Sequence, residues 1–377
     1  MKDLMALIYS SKYDQKAYQS LCDTRPDYML PFGGRYRIID FSLSNITNYN
    51  ISKVLLYTDK NLRSTMDHIG DGKNWELNRR VGGLMINPPQ LDRKGIASEI
   101  ETYYESLKYF ADAKQNYVYI TNPMYITKSD ISDAFEKIQK DDADALVFFK
   151  RVNDENGDRI NQDIINFDEN GNAINAGVNL GSSTIINLFA GSMILKKNVF
   201  INLLRFTMEK STADNLLEAL FKFRDIKITL YESNKHLELI SDLTSYYKSN
   251  MNLLDKKIFN ELFYEDGMVY TKSKDEPSTI YKTGSKVENS LVANGGIIEG
   301  EVYNSIIFRG VRIRKDAVIR NSILFQESDI GESSILNNCI LDKNSQTTAH
   351  VNLAGNRANP YVTKKGELIK DYDYFEK

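Results

Sequence analysis

Hydrophobic and polar positions follow two different rhythms along the chain. Up to about residue 240, short apolar runs at 5–9 (MALIY), 54–57 (VLLY), 117–121 (YVYIT), 145–149 (ALVFF), 190–195 (AGSMIL) and 226–231 (IKITLY) read as buried strands. Between them lie stretches suited to helices: 62–69 (helix or loop), 95–110, 131–140, 216–223 and 242–254. In 95–110, Ile96, Ile100, Tyr103, Leu107 and Phe110 recur at helical spacing with glutamates between them, so one amphipathic helix is expected. Strands alternating with helices in this way predict a mainly parallel sheet covered on both faces. The turn DENG at 168–171, between Ile164, Ile165 and Phe167 on one side and Ala173 and Ile174 on the other, predicts an antiparallel excursion.

The final third changes period. Asn-Ser-Leu-Val, Asn-Ser-Ile-Ile, Asn-Ser-Ile-Leu and Asn-Cys-Ile-Leu begin at 289, 304, 321 and 338, and aliphatic residues recur about every six positions between them. Three short strands per coil, stacked on an aliphatic core, give this imprint, so a hexapeptide β-helix is expected rather than a sandwich. The division that follows is 1–245 as an α/β domain, 246–284 as a helix and linker, and 285–377 as a β-helix with a tail.

One stretch, LPFGGRYRIIDFSLSN at 30–45, combines features of a ligand-facing turn. Gly33 and Gly34 permit positive φ or close backbone approach. Arg35 and Arg37 offer planar cationic forks suited to phosphate. Pairing of these arginines with Asp40 or another structural carboxylate is the competing explanation.

Charge and composition narrow the function classes. A net charge of −3 in 377 residues argues against a chain-wide nucleic-acid or anionic-membrane binder. No apolar run reaches the length of a membrane-spanning helix, and the run near the start is shorter than a signal-peptide core. Cys22 and Cys339 are too few for a disulfide framework, which fits a cytoplasmic setting. His68, His236 and His350 have no metal-ligand spacing.

An α/β domain followed by a hexapeptide β-helix, with PFGGRYRIIDFSLSN near the start, resembles the glucose-1-phosphate adenylyltransferases (ADP-glucose pyrophosphorylases) of bacterial glycogen synthesis. The likeness is carried by Pro31 to Asn45, by Gly95-Ile96-Ala97-Ser98-Glu99 and by NSLVANGGIIEG at 289–300, and it covers nearly the whole chain. It implies a Rossmann-like nucleotidyltransferase domain with a mixed, mostly parallel sheet, followed by a left-handed hexapeptide β-helix. Such enzymes join glucose 1-phosphate to ATP and release pyrophosphate. That chemistry needs a phosphate loop, carboxylates for Mg²⁺ and cations for the developing charge.

Where the family carries chemistry, this sequence differs. The glycine-rich loop after the first strand is replaced by residues 10–18, and Asp27 stands where the family has a cation. Pro123-Met124 aligns with the Gly-Asp that supplies a metal ligand, and Leu239 with the second metal aspartate, unless the alignment slips to Asp242. The sugar-phosphate lysine falls near Asn179, and no lysine lies between Arg159 and Lys196. A retained frame without these residues resembles the GlgD-type, non-catalytic subunit of Gram-positive bacteria.

That resemblance implies a chain inactive or nearly so alone, with no catalytic residue, metal ligand or cofactor of its own. Mg²⁺ and ATP are then held by a catalytic partner subunit in a heterotetramer; whether the chain forms a homo-oligomer in its absence is left open by the sequence. Arg25, Gly33, Gly34, Arg35 and Arg37 are the candidate anion or effector site. Other readings are a weakly active nucleotidyltransferase with metal ligands from Asp59, Asp71 or Asp242, and a sugar-phosphate or nucleotide sensor. An acyltransferase ranks last, because the coils from Asn289 to Gln346 contain no histidine base.

Overall fold

The computed structural model describes residues 1–10, 15–59, 61–88, 91–92, 95–169, 172–223 and 225–371. Contacts divide the chain into two compact units that are not contiguous in sequence. The first comprises Met1–Ser11, Phe41–Leu62 and Gly70–Leu237; the second comprises Lys12–Asp40, Arg63–Ile69 and Glu238–Lys377.

The first unit is built on a nine-stranded mixed sheet. Its parallel centre is Tyr117–Thr121, Leu4–Ile8, Lys53–Tyr57 and Gly83–Asn87, in that order. All five residues of Leu4–Ile8 are buried, as expected of a strand covered on both faces. Ile185–Lys196 runs antiparallel to Tyr117–Thr121 and to Ala145–Asn153, and Ile228–Glu232 pairs with the latter in parallel. The predicted excursion is the antiparallel hairpin of Asp163–Phe167 and Ala173–Val178. Asn170 and Gly171 of its DENG turn lie outside the described residues.

One helical expectation needs correction, and one helix is added. Residues 95–110 do not form one helix: Glu99–Glu105 and Leu107–Ala111 are separate, and Gly95–Ile96 is a short strand. Ser98 starts the helix because it forms a capping box, with Glu101 N donating to Ser98 Oγ at 3.2 Å and Ser98 N donating to Glu101 Oε2 at 2.7 Å. The helix Lys197–Lys210 was not anticipated, since the strand Ile185–Lys196 passes into it without a turn residue.

In the second unit, three all-parallel sheets of six, five and five strands form the repeat region. Leu291, Ile306, Ile323 and Ile340 stack in register, so the four tetrapeptides occupy one column. Each begins at an Asn with positive φ: 42° at Asn289, 46° at Asn304, 46° at Asn321 and 52° at Asn338. Asparagine tolerates this left-handed corner better than other non-glycine residues. The next position forms a ladder, with Ser305 N donating to Ser290 Oγ (3.0 Å), Ser322 N to Ser305 Oγ (3.0 Å) and Cys339 N to Ser322 Oγ (3.1 Å). Ile298, Val302, Ile307, Ile313, Ile319, Leu324, Ile330, Leu336 and Leu341 fill the coil.

The stretch read as helix and linker contains more structure than that. A second helix, Lys256–Tyr264, is capped by Asp255, and Ile280–Tyr281 already pairs with Ile297–Ile298 as part of the coil.

Candidate anion-binding cavity

Pro31–Phe32 and Tyr36–Arg37 form a two-stranded antiparallel hairpin, and Gly33 and Gly34 close it at φ 59° and 84°. Gly33 N donates to Asn250 Oδ1 at 3.1 Å, and the Tyr246 hydroxyl donates to Pro31 O. The Tyr36 ring stacks on Phe263 with centroids 4.9 Å apart. The hairpin is therefore fixed by the two helices Leu243–Asn252 and Lys256–Tyr264.

A second component is a corner of the β-helix. Glu327 N donates to Arg309 O (3.0 Å), Asn344 N to Gln326 O (3.0 Å) and Gly366 N to Lys343 O (2.8 Å). Arg309, Gln326 and Lys343 consequently stack one above another on successive coils. The following residue takes positive φ at each level: 69° at Gly310, 60° at Glu327 and 59° at Asn344.

Hairpin, corner and two further segments enclose a cavity of about 310 Å³, every lining residue of which belongs to the second unit. The lining includes six cations, Arg35, Arg37, Lys272, Lys274, Arg309 and Lys343, against the carboxylates of Asp67 and Glu327. Tyr36, His68, Gln326 and Asn344 complete it. Some cations are partly neutralised: Arg309 Nε lies 3.2 Å from Glu276 and Lys274 Nζ lies 3.7 Å from the same carboxylate. Lys272 Nζ donates to Asp67 O. Lys343 is half-buried, and among the described residues no acceptor lies within hydrogen-bond reach of its ammonium.

Arg37, Arg309 and Lys343 are crowded out of water, whereas Arg35, Lys272 and Lys274 are exposed. Burial, reinforced by Arg25, lowers Arg37 to about 10. Burial, then the positive charges of Arg37 and Arg25, brings Lys343 down to about 7 against the pull of Asp342. His68 Nε2 lies 2.7 Å from Asp40 Oδ1, yet burial outweighs that carboxylate and lowers the imidazole below its ordinary value. A multiply charged anion entering here relieves the repulsion among the cations, so binding of phosphate-type groups is the chemistry the cavity offers.

The structure separates the five residues proposed from sequence. Arg35 and Arg37 line the cavity, whereas Gly33 and Gly34 act one step back by shaping the turn. Arg25 does not line it: its Nη2 pairs with both oxygens of Asp342 at 2.8 and 3.0 Å in a buried site. Asp27 is buried with Oδ1 accepting from Tyr28 N at 2.7 Å. Met124 is fully buried, and its thioether offers no oxygen ligand. Leu239 is buried at the end of a short strand.

Asn179 is also buried, with Nδ2 donating to Asp154 Oδ2 and to Arg159 O, both at 3.0 Å. Its Oδ1 accepts from Gly181 N at 3.0 Å, so the amide ties a loop together. Asp242 caps the helix Leu243–Asn252, and Asp71 accepts from Lys73 N at 3.0 Å. Among the described residues no group of three His, Cys, Asp or Glu side chains stands ready to hold a metal. Sequence reading missed Lys272, Lys274, Arg309 and Lys343. The last two had a signal, being the second residue after the aliphatic pair in their repeats.

Comparison with known proteins decides the family. The nucleotidyl transferase family profile matches residues 19–253, and the GlmU-like C-terminal hexapeptide profile matches residues 278–364. The glycogen biosynthesis protein GlgD of Bacillus subtilis is 32% identical over 366 residues, covering 96% of each chain. The chain belongs to the nucleotidyl transferase family, with the GlgD proteins. The GlgD of Geobacillus stearothermophilus is likewise 32% identical, over 97% of each chain. The glucose-1-phosphate adenylyltransferase of Mycoplasma mobile is 28% identical over 77% of each. For this nucleotidyl transferase family member, then, likeness to the GlgD proteins spans both the sheet domain and the coil.

Proposed function

We propose that this chain serves glycogen biosynthesis as a non-catalytic, regulatory subunit of a glucose-1-phosphate adenylyltransferase, the enzyme that converts ATP and glucose 1-phosphate to ADP-glucose and pyrophosphate. The observation that carries the reading is Met124: a fully buried thioether occupies the position where the resemblance puts a metal-binding aspartate. Asn179, locked by three hydrogen bonds, and Asp242, engaged as a helix cap, support it. These residues do not fit Mg²⁺, so no catalytic step is assigned to them. Loss of a single preorganised charge contact costs on the order of 10²- to 10³-fold in rate, and several are lost here.

In this reading ATP and Mg²⁺ belong to a catalytic partner subunit, in a cytoplasmic heterotetramer. The cationic cavity takes an anionic effector, and a coupling of about 1 to 3 kcal/mol suffices to alter the partner's activity. The test assays the purified chain with ATP, Mg²⁺ and glucose 1-phosphate, first alone and then with a catalytic subunit. Negligible turnover alone, co-assembly by native mass spectrometry and a changed rate in the mixture are expected. Turnover alone near one per second would overturn the proposal. The cavity also favours a second reading, a sugar-phosphate or nucleotide sensor, which predicts anion binding without co-assembly.

A further inference from the structure

We propose that anion capture in this cavity is proton-linked through Lys343, which takes up a proton as the anion enters. This rests on the reading of the cavity as an anion site. Its geometry supplies the reason. Lys343 stands on the stacked corner above Gln326 and Arg309, half-buried, and its ammonium meets no acceptor among the described residues. The charged groups acting on it from the elements packed around it are Arg37 from the hairpin, Arg25 from the preceding segment, Lys274 from the stretch before the coil, and Asp342 beside it in sequence. Asp342 is already engaged by Arg25. The cavity's remaining charges are the carboxylates of Asp67 and Glu327 and the cations Arg35, Lys272 and Arg309, so positive charge outnumbers negative around Lys343 until an anion arrives.

Burial and this field hold Lys343 at about 7, and a bound anion raises it toward the ordinary lysine range. Binding then draws in up to one proton above that pH, and affinity falls by as much as tenfold per pH unit. Nearby groups do not mimic this. His68, held below its ordinary value by burial, is neutral across the window above pH 7, and Tyr36, raised by burial, keeps its proton. The guanidinium groups lining the cavity keep the site cationic when Lys343 is not.

The experiment titrates the full-length chain with sulfate, whose own charge is constant from pH 6 to 9, by calorimetry in two buffers of different ionisation enthalpy. Proton uptake at pH 8 and roughly tenfold weaker binding at pH 8.5 than at pH 7 are expected. Lys343→Arg, which keeps its charge throughout, flattens the pH profile and abolishes the uptake, while Lys343→Met weakens binding at pH 7 and removes the linkage. Sulfate binding of wild type without proton uptake and with a flat profile overturns this inference but leaves the anion site standing. No binding at any pH overturns the anion site itself, and this inference with it.

Discussion

Arg25 and Asp342, 317 positions apart in sequence, form a buried pair in which one guanidinium nitrogen donates to both carboxylate oxygens at 2.8 and 3.0 Å. The side chains are 3% and 1% exposed, so neither charge is compensated by water. Removing one partner leaves the other stranded. Arg25→Met or Asp342→Leu alone is expected to cost about 3 to 5 kcal/mol, and the double variant less than the sum of the two. Equilibrium denaturation across the cycle measures this, and additive losses would show that the pair is not coupled.

The serine ladder gives a second expectation. Ser322 Oγ accepts from Cys339 N at 3.1 Å and donates to Arg320 O at 2.7 Å, both in the buried corner. Ser322→Ala leaves Cys339 N unmet, while Arg320 O keeps the bond from Asn338 N at 3.1 Å, and is expected to cost about 1 to 3 kcal/mol. Ser322→Cys should be milder, because Cys339 fills the equivalent place with its Sγ 3.4 Å from Asn337 O. Denaturation midpoints that rank Ala above Cys would contradict the ladder.

Gly191 lies in the strand Ile185–Lys196 at φ 75°, and an added Cβ would come within 2.3 Å of the Tyr125 ring. Backbone strain of about 1 to 3 kcal/mol then adds to overpacking of similar size in Gly191→Ala. In a Tyr125→Ala background the ring contacts are gone but a Cβ–Cβ contact of 2.7 Å and the strain remain, so Gly191→Ala is expected to lower the thermal unfolding midpoint there by less than in the wild type, though not by nothing.

His68 sets an acid limb on stability. Burial lowers its folded value below 6.5, so the unfolded chain binds the proton more readily. The sign follows: the His68 contribution is constant above pH 6.5, and stability falls as pH drops from there through the folded value. His68→Gln is expected to flatten denaturation midpoints between pH 7 and 5. An unchanged slope would mean that other groups carry the acid limb.

The candidate site was legible only in part. Arg35 and Arg37 stand out in the sequence because glycines precede them within one short stretch, and both line the cavity. Arg25 looked equivalent by residue type, but burial against Asp342 gives it a structural partner instead. Lys272 and Lys274 sit in a polar segment with no periodicity, where nothing local distinguishes a cavity wall from a solvated face.

What the sequence determined by itself is whatever a local period encodes. Apolar runs alternating with amphipathic stretches specify the covered sheet, and four tetrapeptides from Asn289 to Leu341 specify stacked coils, because each strand or corner depends on a few consecutive residues. Tertiary structure alone decided which charges meet. Arg37, His68, Arg309 and Lys343 come from distant stretches, and their shared loss of water shifts each of them. Desolvation and charge repulsion act through space, so no window along the chain contains them.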